Sequence, residues 1–307
     1  MRIVFMGTPE FAVPSLRILC DNKHPIVSVV TAPDKPKGRG QAVLPSPIKQ
    51  FALQHELPIL QPALLDDESF VAQLKGLEPD LFVVVAFRIL PRSVFSIPKL
   101  GAFNLHASLL PKYRGAAPIN WAIINGENET GVTTFFLEDR VDTGEVILQA
   151  RVPIGPDATY GETYETLSDV GAEIVMHTCR LIEMGKALRR SQDSSQASVA
   201  PKIFKEQCGI DWSKTAFQVH NFVRGLSPVP CAYTHYGSKM LRVFRTRMCR
   251  AATSEPPGTI CEARERLRVA TGDGVVEIME LQQENRLRMS ATEFLRGSKL
   301  AVGDRFT

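Results

Sequence analysis

Along the first two-thirds of the chain, short apolar runs rich in β-branched residues alternate with stretches whose apolar positions recur at helical spacing. The runs at 2–6, 26–31, 81–85, 101–106, 131–137 and 145–152 read as strands. The stretches at 11–20, 47–55, 67–75, 117–124 and 164–184 read as helices, with Pro and Gly punctuating the joins. Strands alternating with helices predict an α/β fold built on a largely parallel, doubly wound sheet. Residues 191–200 break the pattern, being small and polar as linkers are. Beyond them one amphipathic helix (214–223) precedes short strands at 232–236, 240–247, 258–261, 267–271 and 275–281. Many short strands joined by turns such as Thr271-Gly272-Asp273-Gly274 predict an all-β second domain. The expected division is 1–190, a linker at 191–204, and 205–307.

Composition changes this picture little. A chain of 307 residues with 44% apolar content is long enough for two cored domains. The cysteines at 20, 179, 208, 231, 249 and 261 form no CxxC pair, and the histidines are equally scattered, so neither a disulfide framework nor a metal site is expected. The apolar start at Met1–Phe5 is too short for a signal peptide and no run reaches spanning length, which predicts a cytoplasmic protein without a membrane partner. The net charge of +3 is unevenly spread. Residues 1–204 carry 20 Lys/Arg against 22 Asp/Glu, an excess of two negative charges. Residues 205–307 carry 16 against 11, an excess of five positive charges, as in an enzyme with a polyanion-binding appendage.

The most informative chemistry lies at the end of the fourth strand. Asn104 and His106 are two residues apart, so both side chains project from one face of the strand end, where an open α/β sheet places its ligands. Asp142, on the Gly-containing turn Val141-Asp142-Thr143-Gly144 after the next apolar stretch, is placed to fold back on the imidazole. A carboxylate there favours the imidazolium and lets His106 act as a cation or proton shuttle. An amide donor, an imidazole and a carboxylate suit stabilisation of an oxyanion coupled to proton movement. Taken singly, His106 reads as a structural histidine and Asp142 as a turn cap; together they read as a site. Ser108 lacks a Gly-x-Ser-x-Gly elbow, which argues against a serine hydrolase. The turn Gly7-Thr8-Pro9 lacks a GxGxxG motif, so a nicotinamide site is poorly supported.

These residues also carry a resemblance. Asn104-x-His106-x-Ser108-Leu109-Leu110-Pro111, then Tyr113-Arg114-Gly115-Ala116-Ala117-Pro118-Ile119, then Asp142-Thr143-Gly144, resemble the core of the formyltetrahydrofolate-dependent formyltransferases. With the basic, glycine-hinged loop at 33–49, the whole chain resembles the bacterial methionyl-tRNA formyltransferase family. The resemblance implies a Rossmann-like catalytic domain and a C-terminal OB-like β-barrel that binds tRNA. It implies catalysis by Asn104, His106 and Asp142, and contact of Ser108, Leu109, Leu110 and Pro111 with 10-formyltetrahydrofolate. It further implies tRNA acceptor-end contact by Arg39, with Lys35 and Lys37 neutralising phosphates. The expected reaction is formyl transfer to the α-amine of initiator methionyl-tRNA, for translation initiation, by a monomer without metal.

Some readings stay open. The 33–49 loop has a competing reading as a solvated surface loop, against which its length in a compact domain favours function. Tyr113 can stack and Arg114 can pair with phosphate or carboxylate, or both can be structural. Arg242, Arg245, Arg247 and Arg250 form either a basic stripe for RNA or a charged edge that blocks sheet aggregation. The segment Val84-Val85-Ala86-Phe87-Arg88-Ile89-Leu90-Pro91 is one residue shorter than the usual family pattern and lacks its glycine, so the resemblance implies a folate pocket reshaped by Arg88. Ala107 also stands where the family commonly has glycine. Transfer to a small amine, hydrolysis of the formyl donor, and a catalytically silent RNA-binding scaffold are the competing functions.

Overall fold

The computed structural model describes residues 1–37, 42–249 and 251–307. The chain folds into two compact units. The first comprises 1–115, 131–152 and 164–199; the second comprises 116–130, 153–163 and 200–307.

The first unit is built on a seven-stranded sheet. In chain order its strands are β1 (Ile3–Gly7), β2 (Ile26–Val30), β5 (Ile59–Leu60), β6 (Leu81–Val85), β7 (Ala102–His106), β9 (Glu129–Phe136) and β10 (Val146–Pro153). The small hairpin β3 (Lys35–Lys37) and β4 (Ala42–Leu44) and the short β8 (Arg114–Gly115) lie outside that sheet. The spatial order is β10-β9-β7-β6-β1-β2-β5. Strands β5, β2, β1, β6 and β7 run parallel, and β9 joins antiparallel to β7. Strands β1 and β6 are buried at every position, as near-continuous apolar runs covered on both faces must be. On one face Val4, Met6, Val30, Phe82 and Val84 pack with Phe70, Leu74 and Val94.

The helices up to residue 183 are α1 (Val13–Asp21), α2 (Pro47–Gln54), α3 (Glu68–Gly76), α4 (Arg92–Phe95), α5 (Pro118–Ile124) and α6 (Tyr160–Glu183). Local chemistry sets their starts. Ser46 accepts from the Lys49 amide and Asp67 from the Phe70 amide, with Pro47 at the first helical position of α2. Helix α6 begins four residues before the expected 164. Thr159 and Glu162 form a reciprocal box, the Glu162 carboxylate accepting from the Thr159 amide at 2.8 Å and the Thr159 hydroxyl accepting from the Glu162 amide at 3.3 Å. The Thr-x-x-Glu spacing was the legible signal for that earlier start.

Strand β11 (Val199–Ala200) straddles the chain boundary of the units, and the second continues with α7 (Ala216–Leu226), then β12 (Ala232–Tyr236), β13 (Lys239–Cys249), β14 (Ile260–Ala263), β15 (Leu267–Ala270), β16 (Val275–Gln283), β17 (Met289–Ser290) and α8 (Ala291–Arg296). The main sheet is antiparallel, in the order β12-β13-β16-β15-β14. Residues 303–307 join its two edges. The Ile260 amide donates to the Asp304 carbonyl and the Phe306 amide to the Gly258 carbonyl, while His235 and Thr307 exchange both backbone bonds at 2.8 and 3.1 Å. The sheet is thereby closed in the barrel-like manner expected, with Phe306 buried against Trp212 and Tyr236 in the core.

Candidate active site

The site sits where the parallel strands end. Strand β7 is interior to the sheet, its Asn104 opposite Phe135 and Val84 and its His106 opposite Thr133. Neighbours on both sides thus fix the register that sends Asn104 and His106 to one face. His106 is only 6% exposed, and Asn104 is half-buried.

Two partners orient the imidazole. Its Nε2 lies 2.8 Å from the Tyr113 carbonyl oxygen. A carbonyl only accepts, so Nε2 carries a hydrogen and Nδ1 is the nitrogen left to exchange a proton. Nδ1 faces the Asp142 carboxylate at 3.8 Å, with Asp142 itself 8% exposed. That separation exceeds a hydrogen bond but is within ion-pair range. The Asp142 carboxylate also accepts from the Gly115 amide at 2.9 Å. The backbone is drawn tight here: Tyr113 has φ 60°, Asp142 φ 56° and Gly115 φ 121°. Gly144 is required by crowding, because a Cβ there would lie 1.7 Å from the Phe136 carbonyl oxygen.

Ser108, Leu109, Leu110 and Pro111 form the turn directly after β7. The Ser108 hydroxyl is fully buried and donates to the Lys112 carbonyl at 2.6 Å. Thr133 donates to the Ser108 carbonyl and accepts from the Leu110 amide, while Gln149 donates to the Leu110 carbonyl at 2.8 Å. The turn is therefore held from within by β9 and β10, and Leu109 and Pro111 are its partly exposed members. The Tyr113 ring is buried, which removes it as an exposed stacking platform. A cavity of about 680 Å³ adjoins the Asp142 turn, lined among others by Arg92, Phe95, Arg114, Leu137, Arg140 and Thr143. Its size suits a small-molecule ligand.

Residues 1–179 match the formyl transferase family, and residues 202–299 match the formyl transferase C-terminal domain. A methionyl-tRNA formyltransferase of Clostridioides difficile is 45% identical over 305 residues, covering 99% of both chains. One from Geobacter sulfurreducens is 45% identical over 306 residues, covering 99% of this chain and 96% of the relative. The chain belongs to the methionyl-tRNA formyltransferase family. Among solved structures, the sugar 3N-formyltransferase WlaRD, determined in the presence of dTDP and 5-N-formyl-THF, superposes with a TM-score of 0.70. It is 22% identical, covering 94% of this chain and 99% of that one, so it bears on the fold. HypX from Aquifex aeolicus, solved in complex with tetrahydrofolic acid, has a TM-score of 0.64 at 20% identity, covering 100% of this chain and 50% of that one.

The fold brings His106 and Asp142 face to face, with Asn104 on the same face of β7 as His106. Of the basic loop, Lys35 and Lys37 lie on β3, whereas Arg39 falls outside the described residues. The loop's base is anchored: Asp34 pairs with Lys49 and accepts from Gln61, and these hydrogen bonds hold its carboxyl below the usual carboxylate range. In the 86–91 segment, the Arg88 guanidinium donates to the carbonyls of Pro62 and Ala63 at 2.7 and 2.9 Å and lies over the Phe87 ring. Burial lowers its pKa from the ordinary arginine value. Arg88 thus ties this loop to the 61–63 segment.

The arginines of β13 do not behave alike. Arg245 turns to Glu162, while Arg242 and Arg247 are both exposed although they stand an odd number of positions apart. A register irregularity between Val243 and Thr246 accounts for this, because a bulge resets the alternation of faces. Arg250 lies outside the described residues. Among the described residues no helix is long and apolar enough to cross a membrane, and no group of three His, Cys, Asp or Glu side chains is placed to hold a metal. Sequence reasoning missed the supporting residues Thr133, Gln149, Gln192 and Ser198. Pairing β9 against β7 points to Thr133; nothing in the polar segment around Gln192 marked it.

Proposed function

We propose that this chain transfers a formyl group from 10-formyltetrahydrofolate to the α-amine of methionyl-tRNA, supplying the formylated initiator for translation. The observation that carries the chemistry is the oriented imidazole of His106, tied at Nε2 to Tyr113 and facing Asp142 through Nδ1, beside the amide of Asn104. The full-length similarity to methionyl-tRNA formyltransferases supports the substrate.

In this reading the neutral amine attacks the formyl carbon and generates a tetrahedral oxyanion. Asn104 donates to that oxygen, and the Nδ1 proton of His106 supplies positive charge next to it. Asp142 keeps the imidazole oriented and takes part in moving the proton from the attacking amine to the folate nitrogen that leaves. The 3.8 Å gap between His106 and Asp142 suits a contact that tightens once substrate excludes water. The donor binds beside His106 against the turn Ser108, Leu109, Leu110 and Pro111, whose Leu109 and Pro111 are partly exposed. Because the Ser108 hydroxyl is already engaged, that segment's contribution comes from Leu109, Pro111 and backbone groups. Lys35, Lys37 and Arg39 neutralise phosphates at the tRNA acceptor end. Residues 1–190 form the catalytic part and 205–307 the tRNA-binding part.

The test offers the purified protein 10-formyltetrahydrofolate with methionyl-tRNA, free methionine, or no amine. We expect formylmethionyl-tRNA and negligible formylmethionine. Formylation of the free amine at a comparable rate, or release of formate without acceptor, overturns the reading.

A further inference from the structure

The segment at 191–200 reads from sequence as a polar tether, yet it makes some of the most specific contacts around the candidate site. Gln192 donates through Nε2 to two backbone carbonyls, Asp142 at 2.9 Å and Gly144 at 2.8 Å. Its Oε1 accepts from Arg114, at 2.8 Å from Nη2 and 3.3 Å from Nε. Both N–H groups and the oxygen of the carboxamide are therefore used, and the amide can stand only one way round, since a flip would set Oε1 against two carbonyl oxygens. Six residues on, the Ser198 hydroxyl accepts from the Tyr113 amide at 2.9 Å, and the Ser198 carbonyl accepts from the Arg114 amide at 2.8 Å. Between these two points Asp193 folds the strap on itself. Its carboxylate accepts from the Ser195 amide and hydroxyl and from the Gln196 side chain, bonds that lower its pKa from the ordinary aspartate value.

These contacts converge on the two groups that orient His106. One is the Tyr113 carbonyl on Nε2; the other is the Asp142 carboxylate facing Nδ1. Asp142 sits at φ 56°, a conformation an L-residue holds only where its surroundings enforce it. The two bonds from Gln192 to the carbonyls of residues 142 and 144 bracket that turn. We propose that Gln192 is a positioning residue of the formyl-transfer site, its carboxamide clamping the Asp142–Gly144 turn so that the Asp142 carboxylate faces His106. This rests on the reading of His106 and Asp142 as the catalytic pair. Only a side chain that donates twice and accepts at the same reach fulfils the role. Glutamate has the same shape but opposes a carboxylate oxygen to two carbonyls.

The test measures kcat, both KM values and the pH profile of kcat for the parent, Q192E, Q192A, D142N and the double variant Q192A/D142N. Thermal unfolding of each shows that it is folded. Misplacing a catalytic group by about 1 Å costs on the order of a hundredfold in rate, and a partial displacement less. We expect Q192E and Q192A to lose at least about tenfold in kcat, to keep both KM values within about twofold, and to change the pH profile in the direction that D142N changes it. In the D142N background, Q192A should cost less than about twofold further, because the carboxylate it positions is already gone. Equal fractional losses in both backgrounds, or a parent-like kcat and pH profile in Q192E, overturn the proposal while leaving the catalytic pair intact. Parent-like activity in D142N instead overturns the reading of the pair itself. Q192E keeps every heavy-atom position at the site filled, so it carries the test even where Q192A does not fold.

Discussion

At the scale of single residues, the site separates groups that do chemistry from groups that hold them. His106 belongs to the first kind. Replacing it with alanine removes the charge beside the developing oxyanion, and removal of one such donor costs about 2.7–4 kcal/mol, roughly 10²–10³ in rate. Steady-state kinetics on His106→Ala should show that loss in kcat with KM for methionyl-tRNA little changed; a loss below about fivefold would place the residue outside the chemistry. Gly144 belongs to the second kind. Gly144→Ala forces the turn away from the Phe136 carbonyl, which a Cβ would approach to 1.7 Å. We expect a kcat reduced by at least about tenfold, together with about 1–3 kcal/mol of lost stability from overpacking. Parent-like denaturant unfolding and kinetics together would show that the turn tolerates the side chain. The shared face of Asn104 and His106 was legible in sequence because strand periodicity fixes which residues share a face. Gln192 was not legible, because its partners are backbone carbonyls, which leave no mark on sequence pattern.

At the scale of elements, the long buried strands were the easiest to read: β6 spans Leu81–Val85 as the apolar run predicts. Short pieces escaped, among them the β3–β4 hairpin, α4 and α8, since two to six residues carry too little periodicity to declare themselves. The barrel was expected from the resemblance, but the segment that closes it escaped, because residues 303–307 pair with segments scattered along the chain. Phe306 makes this closure energetic as well as geometric, being 2% exposed within the core. Phe306→Ala should destabilise the protein by about 3–5 kcal/mol, the usual cost of truncating a buried Phe. Chemical denaturation monitored by Trp212 fluorescence measures it. A change under about 1 kcal/mol would mean that the closing segment contributes little to the fold.

At the scale of the whole molecule, charge and titration add behaviour that no single element shows. His220 in α7 is buried, its Nδ1 beside the Thr246 hydroxyl and its Nε2 beside the Pro156 carbonyl, at 3.0 and 3.1 Å. Burial lowers its pKa from 6.5, as does nearby Arg224, against the opposing pull of the Pro156 bond and Asp157. The unfolded chain then binds a proton that the folded chain declines. Stability from this group is present above pH 6.5 and is lost as pH falls below it. The unfolding temperature should thus fall between pH 7.5 and 5.5 more steeply in the parent than in His220→Gln; equal slopes would remove His220 as a cause. The chain's modest excess of positive charge in residues 205–307 was readable by counting, but its disposition was not. The bulge in β13 exposes Arg242 and Arg247, while Arg245 is taken up by Glu162.

The central claim is that His106 and Asp142 act as one unit in formyl transfer to methionyl-tRNA. The most direct measurement is single-turnover transfer from 10-formyltetrahydrofolate to methionyl-tRNA by the parent, His106→Ala, Asp142→Asn and the double variant, with both substrates saturating. The account predicts that each single variant loses about 10² or more in rate and that the double variant is little worse than the slower single one. Losses that multiply in the double variant, or a single variant with the parent's rate, would contradict it.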